Sequence, residues 1–215
     1  MVQCPSCARR QEPRLLCSDC GAPLPAELDY FGVLGLPRKL TLDLRQLESI
    51  YHEIGRRVHP DRFATQSEAV REASLRSTAL LTQSYRILRN PISRGRYWLE
   101  LHGEKLAESD KRVPAELAEL VFEVQEELAQ IREADRDSRE AMSDLVPAIR
   151  ERRRALQASM DEARGGLAEN FAKWDRQNGD QAELVVNLKA ILSKIAYLGT
   201  LIRDVDREIE PFDAS

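Results

Sequence analysis

Two groups of residues in this 215-residue chain have the types and spacing to do chemistry. The first is Cys4, Cys7, Cys17 and Cys20, two C-x-x-C pairs separated by nine residues and the only cysteines present. Such pairs can aim four thiolates at one tetrahedral cation, and zinc is the expected one. Four thiolates also accept iron, and a redox dithiol pair is the remaining use. Four sulfurs close the coordination shell, so the metal would be structural and would supply folding energy to a segment too short to bury a core. Pro5 and Gly21 suit the tight turns required. The second group is His59-Pro60-Asp61. Proline fixes the backbone so that a histidine and an aspartate project from a rigid turn. An exposed carboxylate there can accept charge-assisted hydrogen bonds from a partner's arginine.

The elements around the second group are helical. Asp29 to Pro37 reads as a short apolar turn of helix ended by Gly35 and Pro37. Asp43 caps a helix, with Gln46 as capping-box partner. Leu47, Ile50, Tyr51, Ile54 and Val58 form its apolar stripe, and Pro60 stops it near Val58. Arg62 to Ser67 is expected as loop. A second long helix is expected from about Glu68 to Arg89, burying Ala73, Leu80, Leu81, Tyr85 and Leu88, and the two form an antiparallel hairpin. Another helix runs from about Ser93 to Leu101 and ends at His102-Gly103.

Further on the pattern becomes long and helical. Pro114 suits a first helical position, and Leu117, Leu120, Val121, Val124, Leu128 and Ile131 make one stripe. The polar run Asp135 to Ser143 reads as a bend. Pro147 is expected to open a helix reaching Trp174, with Gly165-Gly166 as a local conflict, and Asn178-Gly179-Asp180 is a turn. A last helix runs from about Gln181 to Ile209. The expected fold is therefore all-α. A four-cysteine, zinc-ribbon-like clip (1–25) precedes a helical hairpin domain (26–103) and a three-helix bundle (104–215), with Gly21 to Pro25 as linker.

Composition agrees. Leu, Ala, Glu and Arg number 28, 23, 22 and 26, against only 11 Val, 10 Ile and 5 Thr. Straight-chain residues favour helices and β-branched ones strands, so a β-sandwich is excluded. No apolar run approaches the roughly 18 residues of a membrane span, and no secretory signal opens the chain. Net charge is −4 overall, but residues 38–98 carry a net of +6 and 99–215 a net of −9. The basic middle calls for an acidic partner, either a protein surface or nucleic acid. His52 and His102 have no metal or catalytic partner in view, and Arg150 with Arg152, Arg153 and Arg154 reads as a solvated helix face. No Gly-rich phosphate loop, nucleophile elbow or carboxylate pair is present, so no enzyme is expected.

The hairpin, its basic first helix and Val58-His59-Pro60-Asp61-Arg62-Phe63-Ala64 resemble a J domain. Asp29-Tyr30-Phe31 with Leu34-Gly35-Leu36-Pro37, then Asn90-Pro91-Ile92-Ser93-Arg94-Gly95-Arg96-Tyr97 and Leu101-His102-Gly103, narrow the resemblance to the HscB (Hsc- or Jac-type) J-protein cochaperones of iron–sulfur cluster assembly. The resemblance covers about Asp29 to Ile209, and some members carry a similar cysteine clip. It implies a J domain that docks on a DnaK- or HscA-class chaperone and stimulates its ATPase through His59, Pro60 and Asp61, with Arg45, Arg56 and Arg57 facing an acidic surface. It also implies a bundle that binds the IscU-type scaffold through Ala118, Glu119, Phe122 and Tyr197. Ala118 and Glu119 replace larger apolar residues of the family, and Ala134 to Gly166 is longer than usual.

Two other functions compete. A general J-protein would deliver other clients to the chaperone and leave the scaffold unbound. A zinc-dependent nucleic-acid binder would use residues 38–98 and lose affinity steeply with salt. The expectation is the cochaperone: zinc as structural cofactor, no nucleic acid, no membrane, a cytoplasmic location, and a homodimer left open.

Overall fold

The computed structural model describes residues 1–106, 115–133, 139–177 and 179–213. It forms two compact units, Met1–Gly103 and Glu104–Ser215. Among the described residues helices dominate, and the sole sheet is a two-stranded antiparallel ribbon, β1 (Val2–Gln3) with β2 (Arg10–Gln11), pairing Val2 with Gln11 and Gln3 with Arg10.

The first unit is built around one long helix. Its elements are α1 (Tyr30–Val33), α2 (Leu44–Val58), a 3₁₀ turn (Pro60–Phe63), α3 (Glu68–Arg89) and α4 (Pro91–Leu101). Asp29 caps α1 by accepting from the Gly32 N–H at 2.6 Å and is held by Arg38 at 2.5 Å. Asp43 Oδ1 accepts from the Arg45 and Gln46 N–H groups at the start of α2. α1, α2 and α4 all pack on α3. Gly55 faces α3, where a Cβ would meet Leu81 Cδ2 at an ordinary 3.9 Å. Tyr51 stacks on Tyr85 across the same interface at 4.3 Å.

Several expectations change here. The buried face of α3 holds Val70, Ala73, Leu81 and Leu88 but also Ser74, Ser77 and Ser84, while Leu80 and Tyr85 are half-buried. Two of these serines are satisfied by carbonyls: Ser84 donates to Leu80 O at 2.7 Å, and Ser74 to the end of α2. α4 starts at Pro91, two residues early, because Asn90 Oδ1 caps both Ile92 and Ser93 N–H. The expected loop Arg62 to Ser67 opens inside the 3₁₀ turn.

The second unit comprises a 3₁₀ turn (Ala115–Leu117), α5 (Ala118–Glu133), α6 (Arg139–Asp175) and α7 (Gln181–Asp213). Pro147 lies inside α6, rather than opening it. An interior proline costs about 3 kcal/mol. Met142, Val146 and Ile149 are all buried across the proline, so one continuous packed stripe outweighs that cost. The described part of the expected bend, Arg139 to Ser143, is therefore helix. Pro114, residues 135–138 and Asn178 of the expected turn lie outside the described residues. Gly165-Gly166 leaves α6 unbroken, and a Cβ on Gly166 would meet Ile191 Cδ1 of α7 at an ordinary 3.8 Å. α7 runs four residues past Ile209 to Asp213.

α7 also corrects the expectation drawn from apolar runs. By length and composition Gln181–Phe212 could cross a membrane. Its Leu184, Leu188, Leu192, Ile195, Leu198, Leu201, Ile202, Val205 and Ile209 are instead buried in the bundle core. Of the arginine run of α6, Arg154 is exposed as a solvated face requires, but Arg150, Arg152 and Arg153 are not. Arg152 reaches Glu123 and Glu127 of α5, each at 3.1 Å, and Arg153 reaches Asp206 of α7 at 3.0 Å. Arg150 donates to the Phe212 carbonyl at 3.4 Å. These side chains join three helices at a half-buried seam, and their carboxylate partners raise the pKa of Arg152 and Arg153.

Candidate functional site

The cysteine segment is made of two turns with the same backbone hydrogen-bond pattern. In the first, the Cys4 N–H donates to Arg9 O at 2.9 Å and the Ala8 N–H to Cys4 O at 3.0 Å. In the second, the Cys17 N–H donates to Ala22 O at 2.8 Å and the Gly21 N–H to Cys17 O at 3.1 Å. Position four after the leading cysteine has positive φ in both, +71° at Gly21 and +59° at Ala8. Gly21 announces this conformation and Ala8 does not, which is why the sequence reading found one turn residue and missed the other.

These turns bring the four sulfurs within 4.8 Å of one another. Across the turns, Cys4 Sγ lies 3.6 Å from Cys20 Sγ and Cys7 Sγ 3.7 Å from Cys17 Sγ. All four cysteines are free, and a disulfide would need about 2.0 Å. Four sulfurs about 2.3 Å from a central cation would be roughly 3.8 Å apart, so the donor set fits one tetrahedral metal. The Cys17 thiol is drawn down to about 6, chiefly by the Cys20 backbone N–H and further by the Asp19 backbone and Gln11. The Cys7 thiol is pushed up to about 12: the Arg9 backbone lowers it, but desolvation and the three neighbouring sulfurs prevail. Sulfurs this close resist shared ionisation until a cation joins them.

The segment does hold a small core of its own, contrary to expectation. Cys4, Cys17, Ala22 and Leu24 are buried together with Val2 and Ala26 packed on them. Leu16 bridges to Pro23, and the Leu24 N–H donates to Leu15 O. The expected linker Gly21 to Pro25 is therefore largely part of the clip.

The His-Pro-Asp turn sits where α2 ends. The Val58 carbonyl accepts from Ser74 Oγ at 2.6 Å and Thr78 Oγ1 at 3.3 Å, both on α3. That pair satisfies a helix-end carbonyl and nails the turn to the hairpin. Pro60 opens the 3₁₀ turn, and His59 Nδ1 accepts from the Asp61 N–H at 3.3 Å. The same Nδ1 lies 3.4 Å from Asp61 Oδ2. The side chain of Asp61 is 89% exposed. Arg45, Arg56 and Arg57 are exposed on α2, where Arg57 lies 3.9 Å from Glu53. His52 is exposed too, its ring beside Tyr51.

Asn90 to Tyr97 has a structural purpose that explains its residue types. Arg94 is buried and donates to the Leu88 carbonyl, locking the α3–α4 corner. Tyr97 stacks on Tyr30 at 4.2 Å and accepts the Tyr30 N–H at 3.0 Å, while Gln83 donates to the Tyr30 hydroxyl at 2.6 Å. Burial raises the Tyr97 pKa. Trp98 meets Phe31 edge-on, and His102 donates through Nδ1 to the Trp98 carbonyl at 2.8 Å.

In the second unit Phe122 is 69% exposed, the largest exposed aromatic among the described residues. Ala118 and Glu119 are exposed and Tyr197 is half-buried, its pKa raised by desolvation. Glu116 pairs with Lys194 at 3.3 Å and Arg132 with Glu208 at 2.8 Å, so α5 and α7 run parallel. That register puts Glu119 and Phe122 within about a turn of Tyr197 along the bundle.

Two solved structures share this architecture. The crystal structure of human co-chaperone protein HscB matches with a TM-score of 0.68 and 23% identity, covering 97% of this chain and 99% of that one. Chaperone HscB from Vibrio cholerae matches with a TM-score of 0.60 and 25% identity, covering 86% and 99%. The chain has the HscB fold. No protein-family model matches it. The HscB-like architecture, all-α with a four-cysteine cluster at its start, is the one that the residue motifs led us to expect.

Proposed function

We propose that this HscB-like chain is a J-type cochaperone that stimulates the ATPase of a DnaK- or HscA-class chaperone and delivers an IscU-type iron–sulfur scaffold to it. The observation that carries the reading is the His-Pro-Asp turn: an aspartate open to solvent on a backbone fixed from behind by Ser74 and Thr78. Such a group binds without first paying to be ordered. Pro60 and the 3₁₀ turn set the direction of His59 and Asp61, and Arg45, Arg56 and Arg57 steer the approach to an acidic partner. The hydrolysis happens in the partner. This chain biases a two-state machine and contributes no reacting group.

The bundle's part is cargo. Phe122 is the anchor that best fits a protein-binding hot spot, with Tyr197, Ala118 and Glu119 around it. Cys4, Cys7, Cys17 and Cys20 would hold a structural metal, zinc by preference, that cross-links the two turns. We place the protein in the cytoplasm. The helices of the basic segment belong to the HscB fold, which favours an acidic protein surface over nucleic acid as its partner.

The test is steady-state ATP turnover by such a chaperone with the wild type and Asp61→Asn. Loss of stimulation in a variant with unchanged helicity is expected. Normal stimulation by that variant would end the role given to Asp61. A general client adaptor would stimulate turnover yet fail to retain the scaffold in a pull-down.

A further inference from the structure

The two cysteine turns match in backbone but differ behind their sulfurs. Gln11, on β2, is a buried polar side chain that reaches across to the second turn. Its Nε2 lies 3.0 Å from Cys17 Sγ. Its Oε1 accepts from the Ser18 N–H at 3.1 Å and from Ser18 Oγ at 3.0 Å. The backbone donor fixes the amide's orientation. Turned over, its NH₂ would face the Ser18 N–H and its oxygen would face the sulfur, losing both of those contacts, while the Ser18 hydroxyl can serve either arrangement. The first turn has no side-chain counterpart among the described residues. Cys4 Sγ accepts only a longer contact from its own turn, the Ser6 N–H at 3.4 Å.

We infer that Gln11 is a positioning residue of the metal centre, whose amide N–H withdraws charge from the Cys17 sulfur and so tightens the metal's hold on that side. The inference rests on the metal reading of the four cysteines. A site of four thiolates around a divalent cation carries two net negative charges in a small protein segment. N–H donors aimed at sulfur spread that charge, and outer partners of this kind typically change metal affinity about 10–100-fold. The arrangement also separates the sulfurs into two kinds. Cys4 and Cys17 are buried, Cys17 with the Gln11 amide behind it, whereas Cys7 and Cys20 are exposed. Metal exchange should therefore begin at Cys7 or Cys20, with Cys17 the last to let go.

The experiment uses the full chain loaded with cobalt(II) for spectroscopy and with zinc for transfer to a colorimetric chelator. Wild type should show an intense sulfur-to-cobalt charge-transfer band. Its absence would overturn the metal reading itself. With that band in place, Gln11→Leu should move it to lower energy, because an unshielded thiolate gives up charge more easily. Zinc transfer should become about tenfold faster. A purely structural role for Gln11 would change the rate without moving the band. A band at the wild-type position therefore overturns the proposal. If Gln11→Leu takes up no cobalt, Gln11→Asn serves instead. It keeps the amide but withdraws it by one methylene, and the same shift is expected, with an unmoved band again overturning the proposal.

Discussion

The two units of this molecule use their polar side chains in opposite ways. In Met1–Gly103, hydroxyls, amides and carboxylates fix backbone: Asp29, Asp43 and Asn90 cap helices, Ser74 and Thr78 hold the end of α2, and Gln11 braces a cysteine turn. In Glu104–Ser215 a set of ion pairs joins side chain to side chain across helices, through Arg152, Arg153, Arg132 and Lys194. The first pattern suits presenting a fixed shape, the His-Pro-Asp turn. The second suits presenting a broad helical surface, on which Phe122 stands exposed. A backbone contact is lost outright when its side chain is cut, whereas half-exposed ion pairs are each worth little.

The largest expected contrast is metal removal. A strong chelator should unfold the segment around the four cysteines while far-ultraviolet circular dichroism of the helices stays near its original value. Acid should do the same. In the metal-free segment the Cys17 thiol sits at about 6, below its ordinary value of 9.0, so the stabilisation its thiolate brings is fully present above the ordinary value and lost as pH falls through about 6. A bound cation holds the thiolates ionised further into acid, so metal should leave only below that pH, and a metal content unchanged by strong acid would contradict the assignment. Next is Phe122→Ala, expected to weaken scaffold binding by about 2 kcal/mol, roughly 30-fold in Kd, with no change in unfolding midpoint. A stability loss with binding intact would make Phe122 a packing residue.

Smaller effects sharpen the contrast. Ser74→Ala should cost about 1–2 kcal/mol in denaturant unfolding, since the buried Val58 carbonyl keeps only the longer Thr78 contact. Chaperone stimulation should fall too although Asp61 is untouched, and stimulation at wild-type level would show that the turn needs no such anchor. Arg153→Ala should cost under about 1 kcal/mol, because its ion pair with Asp206 is more than a third exposed. A loss of several kcal/mol would mean that the bundle depends on single contacts as the hairpin does.

How far the sequence was legible follows the same division. Helices set by apolar period and by caps, such as α2 from Asp43 to Val58, could be read directly. Pro147 could not, because tertiary packing of Met142, Val146 and Ile149 decides it and local propensity does not. Ser74, Ser77 and Ser84 break an apolar stripe, and nothing local says that the Val58 carbonyl of another helix awaits Ser74. The cysteine spacing pointed to a cluster, yet Gln11 reads as an ordinary polar residue until the fold lays it against Cys17. The arginine run was misjudged because charge alone does not reveal which helices it faces.

The most direct measurement is ATP turnover by a DnaK- or HscA-class chaperone with this protein and an IscU-type scaffold, added singly and together. Turnover faster with both than the separate effects combined would show one chain engaging chaperone and cargo at once. A rate no higher with either or both than for the chaperone alone would contradict the cochaperone account at its root.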